Sequence, residues 1–216
     1  ATASTMARLA HGLADDFVSL TALATQAPLL IAPAMDSQMW THAATKINYE
    51  LLKDRGAHFI GPVEGRLASG RVGTGRLTET TAIVAEVRSL IGRTYGDLIG
   101  RTIIVSAGGT REAIDPVRYI GNRSSGKMGN AIAEAARDRG ANVILITTVP
   151  DTAPLAVTVV EVDSAESMSA AIHERTDSAD ALIMAAAVAD YRPSELIDQK
   201  IKRADVGAMS IELSEN

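Results

Sequence analysis

The stretch Ser106 to Gly129, SAGGTREAIDPVRYIGNRSSGKMG, decides how the rest of the chain is read. A β-branched run, Thr102 to Val105, leads through it to Gly108-Gly109-Thr110. Such a run bounded by a glycine turn predicts a buried strand. From Lys127 onward Met128, Ile132 and Ala135/Ala136 recur at helical spacing and predict an amphipathic helix. The order is strand, glycine turn, loop, helix. Backbone N–H groups at a glycine turn and at a helix start attract anions, and Arg118, Arg123 and Lys127 add fixed positive charge. With the hydroxyls of Ser124 and Ser125 in the same segment, it reads as a phosphate or nucleotide pocket.

Glycine pairs also follow strands in folds that bind nothing, and two familiar motifs fit only in part. Gly121 to Met128 (GNRSSGKM) follows the P-loop pattern up to its last position, where Met128 offers no hydroxyl for Mg²⁺. This argues against a P-loop NTPase. The fingerprint G-x-G-x-x-G is absent at Gly108-Gly109, which leaves ordinary NAD binding weakly supported.

The 216 residues allow one large or two small domains, and 46% apolar content suffices for a real core. Aromatics are only 3%, so that core is built from Ala, Val, Ile, Leu and Met. A net charge of −5 gives no global basic field for nucleic acid, whereas the cations between Arg118 and Lys127 suit a small anion. Without cysteine there is no disulfide framework and no thiolate metal site. No apolar run is long enough for a membrane span, and ATASTMARLAHG does not read as a signal peptide. The expectation is a soluble cytoplasmic protein, a fragment of something longer, cut at both ends.

The residues carry a resemblance. GGTREAIDPVRYIGNRSSGKMG, then AAAVADYRP (Ala185 to Pro193) and KIKR (Lys200 to Arg203), resembles the phosphopantothenate–cysteine ligase domain of the bifunctional coenzyme A biosynthesis enzymes. In that family the ligase follows an FMN-dependent phosphopantothenoylcysteine decarboxylase, and the upstream half carries a resemblance of its own. Pro33-Ala34-Met35-Asp36-Ser37-Gln38-Met39-Trp40 is similar to the decarboxylase motif PAMNxxMW, and Thr2-Ala3-Ser4-Thr5 to its FMN-contacting turn. Asp36 and Ser4 stand where Asn is usual, and a carboxylate at Asp36 would repel a substrate carboxylate unless it is protonated or a cation intervenes. Read from pattern alone, Asp36 is a helix N-cap and Met39/Trp40 are core.

The segment Gly65 to Glu79 holds four glycines and three arginines, a composition expected to form no regular element but a mobile flap over an anionic substrate, or else a solvated loop. It resembles the decarboxylase clamp LACGxxGxGRM, with Ser69 at the cysteine position. The resemblance makes that cysteine the proton donor to an enethiol, and a serine hydroxyl is a far weaker acid than a thiol of pKa about 8.5. The resemblance places the family's catalytic His upstream of Ala1, and His11, His42 and His58 read as ordinary.

Elsewhere, Thr5 to Ala14 reads as helix, Pro28 to Ala32 as a buried parallel strand, and His58 to Ile60 as a short strand. Thr41 to Arg55 reads as a helix burying Ile47, Leu51 and Leu52, with Gly56 as its stop, and Tyr49-x-x-x-Lys53 imitates a dehydrogenase dyad only by accident of spacing. Thr80 to Ile91 reads as a further helix. The glycine-spaced Gly92 to Gly100 sets the domain boundary: residues 1–92 as the decarboxylase part, 93–100 as linker, 101–216 as the ligase part. Strand runs at Ala141 to Thr147, Val157 to Val162, Asp180 to Val188 and Ala208 to Leu213, with a helix at Ala165 to Arg175, predict an α/β class with two doubly wound parallel-sheet domains, flavodoxin-like then Rossmann-like. The crevice is expected where Gly108/Gly109 and Ala185 to Asp190 leave the sheet.

The resemblance implies that CTP activates 4′-phosphopantothenate as an acyl-cytidylate, with pyrophosphate released alongside Mg²⁺, and that the amine of cysteine then forms the amide. On its motifs Asn122 falls on the residue that turns the acyl-cytidylate into product, Arg118 on a neighbouring functional arginine and Lys200 on the lysine of activation. Met184, Ala185, Ala186 and Asp190 fall on the nucleotide site. A homo-oligomer is implied as well. Two readings of other classes stay open: a non-catalytic flavin-decarboxylase-like scaffold attached to an active ligase, and a dehydrogenase.

Overall fold

The computed structural model describes residues 1–201 and 209–216. The chain divides into two compact units, Ala1–Leu90 and Ile91–Asn216.

In the first unit, helix α1 (Ala3–His11) is capped by Thr2, whose hydroxyl accepts from the Thr5 N–H at 3.3 Å. Helix α2 (Phe17–Ala24), which the sequence reading passed over, opens on an Asp16/Ser19 capping box. Strands β1 (Leu30–Ile31) and β2 (His58–Phe59) pair in parallel, and α3 (Ser37–Thr41) and α4 (Ala43–Asp54) lie between them in the chain. Met6, Ala10, Ile31, Trp40 and Leu52 form the core. Tyr49 is part of that packing, edge-on to Trp40 at 5.4 Å and tilted on Phe59 at 4.3 Å, which accounts for it without a dyad. Ile47 and Met39, expected inside, are exposed, because α4 turns the Leu51/Leu52 side inward and α3 buries Trp40.

The flap expectation is corrected. Strands β3 (Val63–Arg66) and β4 (Val72–Arg76) form an antiparallel hairpin in which Gly65 faces Gly73. Its glycines are positions of close approach. A Cβ on Gly75 would fall 2.1 Å from the Met35 carbonyl oxygen, and one on Gly73 3.1 Å from Ser37 Cβ. Helix α5 (Thr80–Tyr95) runs past the expected end at Ile91. Gly92 is buried and lies against Asp138 and Gly140, where a Cβ would meet backbone at 2.5 Å.

The second unit is a parallel sheet of β5 (Thr102–Ala107), β8 (Asn142–Thr147), β9 (Thr158–Glu161) and β10 (Ala181–Met184), ordered β10-β5-β8-β9. Between β5 and β8 come the small antiparallel hairpin β6 (Arg111–Ala113) and β7 (Tyr119–Gly121), where the sequence reading had a loop, and helix α6 (Lys127–Asp138). Helix α7 (Ala165–Thr176), with a Ser164/Ser167 capping box, precedes β10. Strand β11 (Tyr191–Pro193) pairs with β12 (Leu213–Glu215). The terminal strand thus lies later than the 208–213 expected, and Ala208 is outside the described residues.

Side-chain alternation along β5 explains the layers. Ile103, Val105 and Ala107 pack with Ala133 and Ala136 of α6, while Ile104 packs with Met168, Ala171 and Ile172 of α7. Helices therefore cover both faces. Each fully buried Ile or Val here contributes about 1.5–3 kcal/mol. The buried stripe of α6 is Gly129, Ala133, Ala136 and Arg137, so Met128 and Ala135 point outward, one position away from the predicted face. Gly129 is what lets the helix sit down: a Cβ there would be 2.5 Å from Ala107 Cβ and 2.8 Å from the Ser106 carbonyl oxygen.

Candidate functional site

The chain builds β5, β8 and β9 outward and then returns β10 to the other flank of β5. That reversal opens a crevice at the carboxyl ends of β5 and β10, the place where open α/β sheets bind ligands. Gly108-Gly109 leave β5 and Ala185 to Asp190 leave β10 at that point, joined by a parallel bridge between Gly109 and Ala187. Gly108 has φ +88, and a Cβ there would fall 2.1 Å from Thr148 Oγ1.

Three buried hydroxyls lock the turns. Ser106 Oγ accepts from the N–H groups of Ala185 and Ala186, both at 3.1 Å, and Thr110 Oγ1 accepts from Ala189 N–H at 2.9 Å. Thr148 Oγ1 donates to the Gly109 carbonyl at 2.9 Å. Asn122 Nδ2 donates to the Val188 carbonyl at 3.0 Å, and Asn216 Nδ2 to that of Ala189 at 2.7 Å. Val188, Ala189, Asp190, Tyr191, Glu215 and Asn216 line a cavity of about 560 Å³. A cleft of about 830 Å³ reaches the same turn through Thr148 and is lined by Arg111, Glu112, Asp163 and Arg192 among others.

Sequence reasoning passed over Ser106, Thr110 and Thr148. Their signal is a small hydroxyl residue inside or just after an apolar strand, where a bare O–H needs a partner. Met184, read with the nucleotide site, ends β10 with its sulfur 3.9 Å from Ser106 Oγ, and its side chain is largely exposed.

Arg118 and Lys200 lie at the other end of the β6–β7 hairpin from Asn122. Arg118 donates to the Ile201 carbonyl at 2.6 Å and sits 3.7 Å from Asp115 Oδ2. Asp115 is fully buried and accepts from the N–H groups of Val117 and Arg118, each at 2.8 Å, and of Ile201 at 3.2 Å. Burial pushes its carboxyl up, but those N–H groups and the Arg118 charge outweigh it and hold the group below the ordinary carboxylate value. Ile201 is thus tied to the hairpin tip, which fixes its exposed neighbour Lys200 there. A three-residue strand spans roughly 10 Å, so Lys200 and Asn122 flank one short hairpin rather than touching. Lys202 and Arg203 of the KIKR motif are outside the described residues.

The first unit holds a second candidate. The Ala34 N–H donates to the Ala1 carbonyl at 2.8 Å and the Met35 N–H to the Gly75 carbonyl at 2.9 Å. These bonds bring the Thr2-Ala3-Ser4-Thr5 turn, the Pro33 to Asp36 loop and the hairpin to the end of β1. Asp36 caps α3, accepting from Gln38 N–H at 3.0 Å, as its pattern predicts. It also accepts from Ser69 Oγ at 2.9 Å, and Arg71 Nη1 lies 4.0 Å from it. The Gln38 N–H first, then the Ser69 hydroxyl and the Arg71 charge, hold its carboxyl below the ordinary value, so Asp36 is ionised near neutral pH. Ala34, Met35, Asp36, Arg66, Ser69 and Arg76 are among the residues lining a cavity of about 330 Å³. Thr2 to Thr5 present helix-start N–H groups and hydroxyls, which fit a hydrogen-bond-accepting cofactor such as FMN. Among the described residues no group of three acidic or histidine side chains is placed to hold a metal ion, and no helix is long and apolar enough to cross a membrane.

Comparison with known proteins agrees with both units. Residues 98–216 match the DNA/pantothenate metabolism flavoprotein C-terminal domain and residues 1–92 match the flavoprotein family. The coenzyme A biosynthesis bifunctional protein CoaBC of Mycobacterium tuberculosis is 47% identical over the whole chain, and that of Bacillus subtilis 45% identical over 99% of it. The chain covers 53% of each of them, about half their length. Among solved structures, the C-terminal domain of CoaBC is 44% identical, with 55% of each chain covered and a TM-score of 0.47. A mutant PPC decarboxylase complexed with pantothenoylaminoethenethiol is 34% identical over 41% of this chain and 50% of that one, with a TM-score of 0.40. The match over more than half of the chain shows that it belongs to the DNA/pantothenate metabolism flavoprotein C-terminal domain family, and along its length it is similar to the CoaBC proteins of coenzyme A biosynthesis.

Proposed function

We propose that the second unit ligates 4′-phosphopantothenate to cysteine at the expense of CTP, and that the first unit belongs to an FMN-dependent decarboxylase acting on the product, phosphopantothenoylcysteine. On this reading residues 1–92 and 101–216 serve the two activities, with 93–100 between them. The protein works in the cytoplasm as a homo-oligomer. The observation that carries the ligase reading is the meeting of Gly108-Gly109, Asn122 and Ala185 to Asp190 at one sheet reversal.

The small side chains of Ala185 and Ala186 let a nucleoside approach backbone, and Asp190 accepts hydrogen bonds from its hydroxyls or amines. The glycine turn and Lys200 counter the triphosphate charge that grows as the carboxylate attacks. Pyrophosphate leaves and the acyl-cytidylate remains, held by Asn122 until the cysteine amine attacks and CMP departs. Arg118, through Ile201, sets where Lys200 stands. Mg²⁺ would arrive on the triphosphate, whose oxygens are ligands it favours.

In the first unit Thr2, Ala3, Ser4 and Thr5 would hold FMN, which supplies a reversible two-electron oxidation when bound. Asp36 and Ser69 would face the substrate. One observation favours a non-catalytic first unit instead: Ser69, at the proton donor's position, gives its hydroxyl hydrogen to the ionised Asp36. The test, on the full-length protein, is release of pyrophosphate from CTP on adding phosphopantothenate and cysteine, run beside CO₂ release and the visible spectrum. Pyrophosphate and CO₂ together support both halves. Pyrophosphate with neither flavin nor CO₂ supports a ligase on a scaffold, and no pyrophosphate rejects the ligase.

A further inference from the structure

The cavity at the hairpin tip carries a charge arrangement that the motif comparison does not explain. Arg66 and Arg76 line it with Asp36, Arg71 lies outside the lining but 4.0 Å from Asp36, and Arg76 is paired with Glu79. The balance is positive and favours an anionic ligand. Yet Asp36, a carboxylate with only 24% of its side chain exposed, is part of the lining and would by itself repel one.

Asp36 is held at three points. Gln38 N–H and Ser69 Oγ–H fix its rotamer, at 3.0 and 2.9 Å, and the third approach is the Arg71 guanidinium at 4.0 Å. Arg71 follows Ser69-Gly70 at the turn of the hairpin, and 59% of its side chain is exposed. A guanidinium carries five N–H donors in a planar fork, so one edge can rest on Asp36 while another meets a second carboxylate. At this exposure an ion pair adds little to stability. Its consequence lies in what the cavity accepts.

Building on the decarboxylase-type reading of the first unit, we infer that Arg71 receives the carboxylate of the ligand and that Asp36 is its positioning residue. The pair presents a cation where a lone Asp36 would present a repelling anion, and Ser69 keeps the carboxylate turned toward Arg71. No proton or electron moves in this step; it is recognition alone.

Equilibrium binding to the flavin-loaded full-length protein tests this with two thiol-free probes, phosphopantothenoyl-alanine and its carboxamide, neither of which turns over. Arg71→Gln is expected to weaken the carboxylate probe about tenfold or more while shifting the carboxamide by less than about threefold. Asp36→Asn added to Arg71→Gln is expected to recover most of that loss, because the repelling charge is gone. The melting temperature of Arg71→Gln should stay within about 2 °C of the parent. Equal weakening of both probes, no weakening of either, or a double variant as weak as Arg71→Gln overturns the assignment of Arg71 while leaving the decarboxylase-type reading standing. A parent protein that binds neither probe overturns that reading, and this inference with it.

Discussion

Asn122 donates its side-chain amide to the carbonyl of Val188 at 3.0 Å, joining the end of the β6–β7 hairpin to the turn that follows β10. The two residues are 66 positions apart in sequence. Through this bond a side chain on one wall of the crevice is oriented by backbone on the other. On the proposed ligase reading, Asn122→Ala should reduce formation of the amide product by about 10²- to 10³-fold, the cost when a donor that serves a reacting centre is lost. Folding stability should fall by only about 1 kcal/mol, since one hydrogen bond is lost. Product assay and urea unfolding on the same preparation check the pair of outcomes.

Ser106 offers the converse case, a buried residue that holds the alanine turn. Its oxygen takes two N–H groups, Ala185 and Ala186, within the protein interior. Ser106→Ala leaves both donors without that acceptor and should cost about 1–3 kcal/mol. On the proposed reading nucleotide affinity should fall as well, because the turn assigned to the nucleoside is no longer fixed. Ser106→Thr, which keeps the oxygen, should lose less affinity than Ser106→Ala, as measured by CTP titration.

Gly129 sets the distance between α6 and β5. Its missing Cβ would contact both Ala107 Cβ and the Ser106 carbonyl, and the latter is backbone that cannot swing away. Gly129→Ala should therefore destabilise by about 1–3 kcal/mol through overpacking, against the gain in helix propensity that alanine brings elsewhere. A urea melt that shows stabilisation would mean that α6 slides freely on the sheet.

The Asp36 carboxyl gives a pH prediction. Its folded pKa lies below the unfolded value, so ionised Asp36 contributes stability above about pH 4, and that contribution is lost as pH falls through the folded pKa. Ser69→Ala removes the hydroxyl donor, which should raise the folded pKa and move acid unfolding of the first unit to higher pH. Carboxyl ¹³C shifts followed through an acid titration read the pKa directly.

Much of this protein could be read from its residues. The run from Thr102 to Val105, the strand runs at 141–147 and 180–188, and the spacing of Ala165 to Arg175 led to a parallel sheet with helices between its strands. The observed order β10-β5-β8-β9 has that character. Asp36 as a helix cap and the crevice beyond β5 and β10 also followed from local pattern. These features depend on period and turn chemistry, which are written along the chain.

Other features needed partners distant in sequence. The Gly65 to Glu79 segment was read as irregular because its glycines look like freedom, whereas Gly73 and Gly75 are there to let Ser37 and Met35 come close. The outward turn of Met128 depends on which side of α6 meets Ala107, a choice that Gly129 makes and periodicity alone does not. Asp36, Ser69 and Arg71 become one cluster only when the hairpin folds back on α3, and Lys200 is placed only through Ile201 and Asp115. Order along the chain determined the strands, the helices and the turns between them. Which side chains share a cavity was decided by packing, because hydrogen bonds and charges act over a few ångströms regardless of how much chain separates their owners.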